Sequence, residues 1–146
     1  MLEVIYEGIP AGNKNVDQIE LQDANALMEP GRICCLTAGG TGSINTVYLG
    51  GITPLVSTLD FPFGLVADSK ADDIVSGKVT VYFTQGLYRT DQLSGTINKG
   101  DVLSFDDMGM IKTAMTGEYV IGYCTETMGG DGAIEMVLNI TGAKAS

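Results

Sequence analysis

Residues 133–140, AIEMVLNI, carry an apolar side chain at every second position. This period of two predicts a β-strand, because successive side chains of a strand point to opposite faces of the sheet. The residues predicted to face a core are Ile134, Met136, Leu138 and Ile140. Residues 78–84, KVTVYFT, alternate in the same way and place on one face Val79, Val81 and Phe83.

Shorter apolar runs recur along the rest of the chain, and turn residues such as glycine separate them. The other predicted strands cover residues 2–6, 16–21, 32–37, 46–49, 64–67, 102–105, 111–114 and 119–125. About ten short strands at this spacing are typical of a sandwich or a barrel. Only residues 17–28 and 71–75 favour short helical turns.

We therefore predict one all-β domain over residues 1–146, with glycine-rich hairpin loops and at most one or two short helices. The expected form is a β-barrel, a β-tulip-like barrel or a sandwich. Residues 1–12 are expected to form an extended N-terminal arm.

The composition of the 146-residue chain excludes several classes of function. It has no histidine, so it lacks the imidazole of Ser-His-Asp and Cys-His nucleophile systems and of histidine metal sites. With 8 Lys+Arg against 18 Asp+Glu, a surface that neutralises nucleic-acid phosphates is not expected. There is no apolar run of about 18 residues, so no membrane span is predicted. The acidic N-terminus does not have the pattern of a secretory signal.

Residues 39–45 and the acidic clusters are the segments that most resemble chemical motifs. The glycine-rich stretch at 39–45 is followed by a predicted strand and not by the helix that a phosphate loop requires. The clustered carboxylates lack calcium-loop spacing and fit turns; they belong to Asp101, Asp106, Asp107, Asp131 and Glu135. We predict no catalytic, cofactor-binding or metal-binding residue, no cofactor and no enzymatic activity.

Three cysteines, Cys34, Cys35 and Cys124, form neither an even disulfide framework nor a C-x-x-C metal spacing. They are interpreted as buried structural thiols of a protein made in a reducing cytoplasm. Because Cys34 and Cys35 are adjacent on a predicted strand, one thiol is expected to face the core and the other the opposite surface.

Several turn motifs follow one another in a definite order along the chain. Residues 86–90, GLYRT, match a hairpin that ends in G-x-Y-x-T, and residues 100–103, GDVL, match a G-D-x-L turn. A short glycine turn at Gly109 and an I-G strand at 121–122 follow. This order of motifs, over residues 27–140, resembles that of the small proteins that decorate the heads of tailed bacteriophages.

This resemblance implies an acidic virion structural protein that binds the major capsid protein on the outer surface of an assembled capsid and stabilises the capsid. It also implies self-association, as a homotrimer, and no nucleic-acid or membrane partner. The protein is expected to be made in the host cytoplasm and to reside in the virion.

A different function is also open from the residues alone. The chain is alternatively a ligand-binding β-sandwich, of carbohydrate-binding or adhesin type, on a phage fibre or a bacterial surface. The tyrosines that would line its sugar platform are Tyr48, Tyr82, Tyr88 and Tyr123.

Overall fold

The chain folds into β-strands joined by turns. The structure, a computed structural model, describes residues 1–7, 18–22, 29–36, 47–48, 55–67, 78–83 and 85–146. These ranges contain eleven strands and no helix. The strands are β1 (Leu2–Glu7), β2 (Gln18–Gln22), β3 (Ile33–Leu36), β4 (Val47–Tyr48), β5 (Pro62–Val66), β6 (Lys78–Tyr82), β7 (Gly86–Thr90), β8 (Val102–Phe105), β9 (Ile111–Thr113), β10 (Gly122–Glu126) and β11 (Ile134–Leu138).

The strands form two sheets in which every ladder is antiparallel. The larger sheet has the order β1-β7-β11-β10-β8-β9, and the smaller has the order β2-β6-β5-β3-β4. Within the described ranges neither sheet closes on itself. The prediction of an all-β fold is confirmed, and of the expected forms this arrangement is that of a β-sandwich.

The core lies between the two sheets. Strand β11 runs through the larger sheet between β7 and β10, and its inward residues Ile134, Met136 and Leu138 are fully buried. The alternation predicted for this segment is therefore confirmed from Ile134 to Leu138, whereas Ile140 lies beyond the strand and is half-buried. The smaller sheet contributes Ile33, Leu65 and Val81 to the same cluster. The rings of Tyr82 and Tyr88, one from each sheet, join the halves of the core with their centroids 5.6 Å apart.

Strand β7 was not among the segments that alternation predicts, although it pairs with both β1 and β11. Its buried residues are Gly86, Tyr88 and Thr90, whereas Leu87 and Arg89 alternate with them and are only half-buried. Only one of the three inward residues, Tyr88, is a large hydrophobic residue, so the apolar alternation that would predict a strand is absent. The Thr90 hydroxyl is satisfied because it donates to the Gly31 carbonyl at 2.9 Å.

Strand β10 begins at Gly122, three residues later than the sequence pattern predicts. The residues before it pair with the C-terminal segment instead, because Tyr119 forms an antiparallel bridge with Lys144. At Gly122 the backbone has a φ of 154°, and a Cβ would lie 1.8 Å from the Val137 carbonyl oxygen. Glycine is required at this position.

The N-terminal residues are tied to the larger sheet. Of the arm predicted over residues 1–12, residues 2–7 form edge strand β1, and residues 8–12 lie outside the described residues. The Met1 ammonium donates to the Pro30 carbonyl and to the Asp91 carboxylate, both at 3.0 Å. Within residues 17–28, where short helical turns were expected, residues 18–22 form strand β2 instead. The remaining residues of that segment, the glycine loop at 39–45 and the helical turn expected at 71–75 lie outside the described residues. In the part of the chain that the structure describes, no helix is long and apolar enough to cross a membrane.

Candidate interaction surfaces

Three of the carboxylates that the sequence singled out accept hydrogen bonds within their own turns; they belong to Asp101, Asp106 and Asp131. Asp106 caps the β8–β9 hairpin, since its Oδ1 accepts the amides of Met108 and Met110, each at 2.9 Å. Asp101 Oδ2 accepts the Asn98 amide at 2.9 Å. Among the described residues, no three or more Cys, Asp or Glu side chains are grouped in a way that would hold a metal ion.

All three cysteines are free and buried. The expectation that either Cys34 or Cys35 faces the surface is wrong, because both have a relative exposure of at most 1%. Strand β3 lies between β4 and β5, and its register with β5 shifts at these two residues. Burial raises the pKa of Cys34 to about 12 and also raises the pKa of Cys35 and Cys124. The thiols therefore stay protonated and pack as small apolar groups.

The four tyrosines proposed for a sugar platform do not share one exposed face. Tyr88 is fully buried, and Tyr82 packs against the core beside it. Tyr123 is 48% exposed on β10, and the side chain of Tyr48 lies outside the description. A platform of three or more of these rings is therefore not formed.

Apolar side chains cross the outer face of the larger sheet in register. Val102 pairs with Tyr123, Tyr123 with Val137, and Val137 with Leu87. The first two are 45% and 48% exposed, and the other two are half-buried. We call these four residues, from β8, β10, β11 and β7, the outer-face row. Residues opposite each other in antiparallel strands are close enough to form one continuous surface.

A charged row follows on the same face, two positions along strands β7 and β11. Glu3 pairs with Arg89, Arg89 with Glu135, and Glu135 with Glu126. The Arg89 guanidinium contacts Asp131 at 2.5 Å and Glu3 at 3.5 Å. Hydrogen bonds from the Ala133 amide and from Arg89 lower the pKa of Asp131. This edge therefore carries four carboxylates and one guanidinium, and the guanidinium already forms ion pairs with Glu3 and Asp131 of its own chain.

A second apolar surface lies at residues 55–61. Val56, Leu59, Phe61 and Met115 expose between 41% and 70% of their surface, and we call them the Leu59 ridge. The turn that carries it is closed by the Leu59 amide, which donates to the Val56 carbonyl at 2.9 Å. Phe61 packs edge-on against Tyr119, with centroids 5.4 Å apart.

Glu118 fastens the Leu59 ridge to the larger sheet. Its carboxylate is only 8% exposed and accepts hydrogen bonds from the Lys112 ammonium at 2.6 Å, the Met115 amide at 2.5 Å and the Ser57 hydroxyl. Burial by itself raises the pKa of this carboxyl, but the three hydrogen bonds outweigh burial, so the pKa lies below its ordinary value. Glu118 is therefore charged in the native protein at neutral pH.

A depression of about 420 Å³ lies at the Val102 end of the outer-face row. Val102, the last member of the outer-face row, lines it together with Val120, Lys144 and the C-terminal Ser146. The Lys144 ammonium donates to the Thr58 carbonyl in the turn of the Leu59 ridge at 3.0 Å. Lys144 therefore connects the depression beside Val102 to the turn that carries the Leu59 ridge.

Of these surface residues, the sequence predicted a binding role only for Tyr123. One signal did point to the outer-face row: Val137 is an apolar residue on the otherwise polar face of β11, between Glu135 and Asn139. No strand pattern covers residues 55–61, so the Leu59 ridge has no comparable signal.

Neither a protein-family model nor a curated protein sequence matches this chain.

Proposed function

We propose that this protein is a virion structural protein that binds the outer surface of an assembled phage capsid and stabilises it. The observation that carries the proposal is the concentration of exposed apolar side chains on the outer-face row and the adjoining Leu59 ridge. Exposed apolar area grouped in this way marks protein–protein contact sites. The resemblance of residues 27–140 to phage head decoration proteins names the partner, the major capsid protein.

Two adjoining contact surfaces fit a protein that binds both its own copies and a shell. A homotrimer needs one surface for neighbouring copies, and attachment to the capsid needs another. A stable specific contact buries about 800 Å² on each partner. A sandwich whose turns are fixed by Asp106 and Glu118 offers such surfaces without reorganisation, which lowers the entropic cost of binding.

The formal net charge of −10 supports a position on the outside of the shell. Packaged DNA would repel a protein of this charge, while a capsid exterior with basic groups would attract it. The same charge keeps the free protein in solution before it attaches.

Purified virions test the proposal directly. We expect this chain in a fixed ratio to the major capsid protein after density-gradient purification, and a trimer by size-exclusion chromatography with light scattering. Capsids that lack the chain should melt at a lower temperature, and added purified protein should restore the wild-type melting temperature. Absence from washed virions would overturn the proposed function, and unchanged melting would overturn the stabilising role.

A further inference from the structure

We propose that the outer-face row is the surface that docks on the shell, and that its target is an apolar strip with lysine and arginine along one side. This inference rests on the proposed function and deepens it, because it states which face binds and which chemistry the capsid must present. The register of the row and the distribution of charge around it both support this proposal.

The outer-face row is suited to a flat protein partner. It crosses four adjacent strands, β8, β10, β11 and β7, so its side chains project from a continuous hydrogen-bonded sheet. Tyr123 stands near its middle with about half of its surface exposed. Partly exposed tyrosines at the centre of an apolar patch are frequent binding hot spots, because a rigid ring buries a large area at small entropic cost.

The charge around the outer-face row is one-sided. Along one edge lie Glu3, Glu126, Glu135 and Asp131, with Arg89 as the cation among them. Along the opposite edge, the exposed residues that continue β7 and β11 are neutral; they are Gln85 and Asn139. A complementary partner therefore carries its basic groups on one side of its apolar strip, and this asymmetry fixes the orientation of docking.

A second copy of the chain does not supply this complement. Arg89 is engaged by Asp131 and Glu3 of its own chain, and the Lys144 ammonium near Val102 donates to the Thr58 carbonyl of its own chain. Two outer faces placed together would leave the carboxylates of both charged rows without a cation while removing part of their water. The Leu59 ridge carries balanced charge instead, since Lys112 pairs with Glu118 there.

The decisive experiment measures binding of purified protein to capsid shells that lack this chain. Tyr123→Thr removes the ring but keeps a strand-forming residue, and we expect it to weaken binding about thirty-fold. Met128→Thr, which alters a 42% exposed apolar residue outside both the outer-face row and the Leu59 ridge, is the matched control and should bind shells like the wild type. Urea denaturation of both variants checks that each is folded.

Salt and charge provide a second measurement on the same shells. Binding of the wild type should weaken as salt rises from about 0.05 to 0.5 M, because the Debye length falls well below about 10 Å. The double variant Glu3→Gln, Glu126→Gln should bind more weakly at low salt and show a smaller salt dependence. Equal or tighter binding by this variant would overturn the charge argument.

A photo-crosslinker at position 123, introduced as Tyr123→p-benzoylphenylalanine, identifies what lies on the row in assembled virions. The expected product joins this chain to a major-capsid-protein peptide that contains lysine or arginine. A product that joins two copies of this chain, or full binding by Tyr123→Thr, would overturn the inference. If the wild-type protein does not bind shells at all, the proposed function itself fails, which is a distinguishable result.

Discussion

Removal of the Glu118 carboxylate should release the Leu59 ridge and destabilise the whole fold. In Glu118→Ala, the Lys112 ammonium, which is 19% exposed, loses its counter-ion, and the Met115 amide and Ser57 hydroxyl lose their acceptor. Breaking a fully buried ion pair costs about 3–5 kcal/mol. Because Lys112 retains some contact with water, we expect a loss of about 3 kcal/mol in the free energy of unfolding.

Glu118→Gln separates the charge from the hydrogen bonds. The amide oxygen can still accept from Lys112 and Met115, so the expected loss is about 1–1.5 kcal/mol at pH 7. The pKa of Glu118 is lowered in the folded protein, so its contribution is complete above the ordinary glutamate pKa of about 4.3 and is lost as the pH falls through the folded-state pKa. The Gln variant should therefore lose less stability than the wild type on acidification.

Urea denaturation between pH 2 and 7 measures both effects, with Glu126→Gln as the matched control on an exposed glutamate. The control should differ from the wild type by less than about 0.5 kcal/mol at pH 7. A double-mutant cycle with Lys112→Met should give a coupling of about 1 kcal/mol or more. If Glu118→Ala costs no more than the control, Glu118 does not hold the ridge and the reasoning is refuted.

Three further outcomes follow from the described contacts. Gly122→Ala should lose about 2–4 kcal/mol in urea denaturation, because its Cβ meets the Val137 carbonyl, whereas Gly130→Ala, with open space around it, should lose less than about 0.5 kcal/mol. Met136→Ala, in the fully buried core, should lose about 2–5 kcal/mol in the same assay. A thiol reagent should leave the native protein unmodified over minutes and label three thiols per chain in guanidinium, at Cys34, Cys35 and Cys124; rapid native labelling would show that the strands around β3 open readily.

The sequence predicts the fold best where one face of a strand is apolar and the other is polar. Strand β11 has a continuous apolar inward face, and the alternation predicts it correctly. Alternation does not predict β7, because two of its three inward residues, Gly86 and Thr90, are not large apolar residues. The thiols of β3 depart from this rule: both Cys34 and Cys35 are buried, and the register of β3 with β5 shifts between them. Alternation along one strand carries no information about such cross-strand irregularities.

The contact surfaces were harder to predict because they depend on which strands become neighbours. Val102 and Leu87 lie far apart in sequence and join one row only through β10 and β11. The hydrogen bonds of Glu118 likewise bring Ser57 together with Lys112. Each residue by itself is compatible with an ordinary surface, so the local pattern gives no reason to group them.

Gly122 connects the stability of the fold to the surface that we propose for docking. Its missing Cβ lets the backbone of β10 approach the Val137 carbonyl, and the next residue, Tyr123, is thereby held in register with Val137 on the outer face. A side chain at position 122 would push these strands apart and displace the ring from the centre of the outer-face row. The I-G pair at 121–122 thus has a physical role: it allows the close pairing on which both the β10–β11 ladder and the position of Tyr123 depend. A variant at Gly122 should therefore weaken shell binding even under conditions in which the protein remains folded.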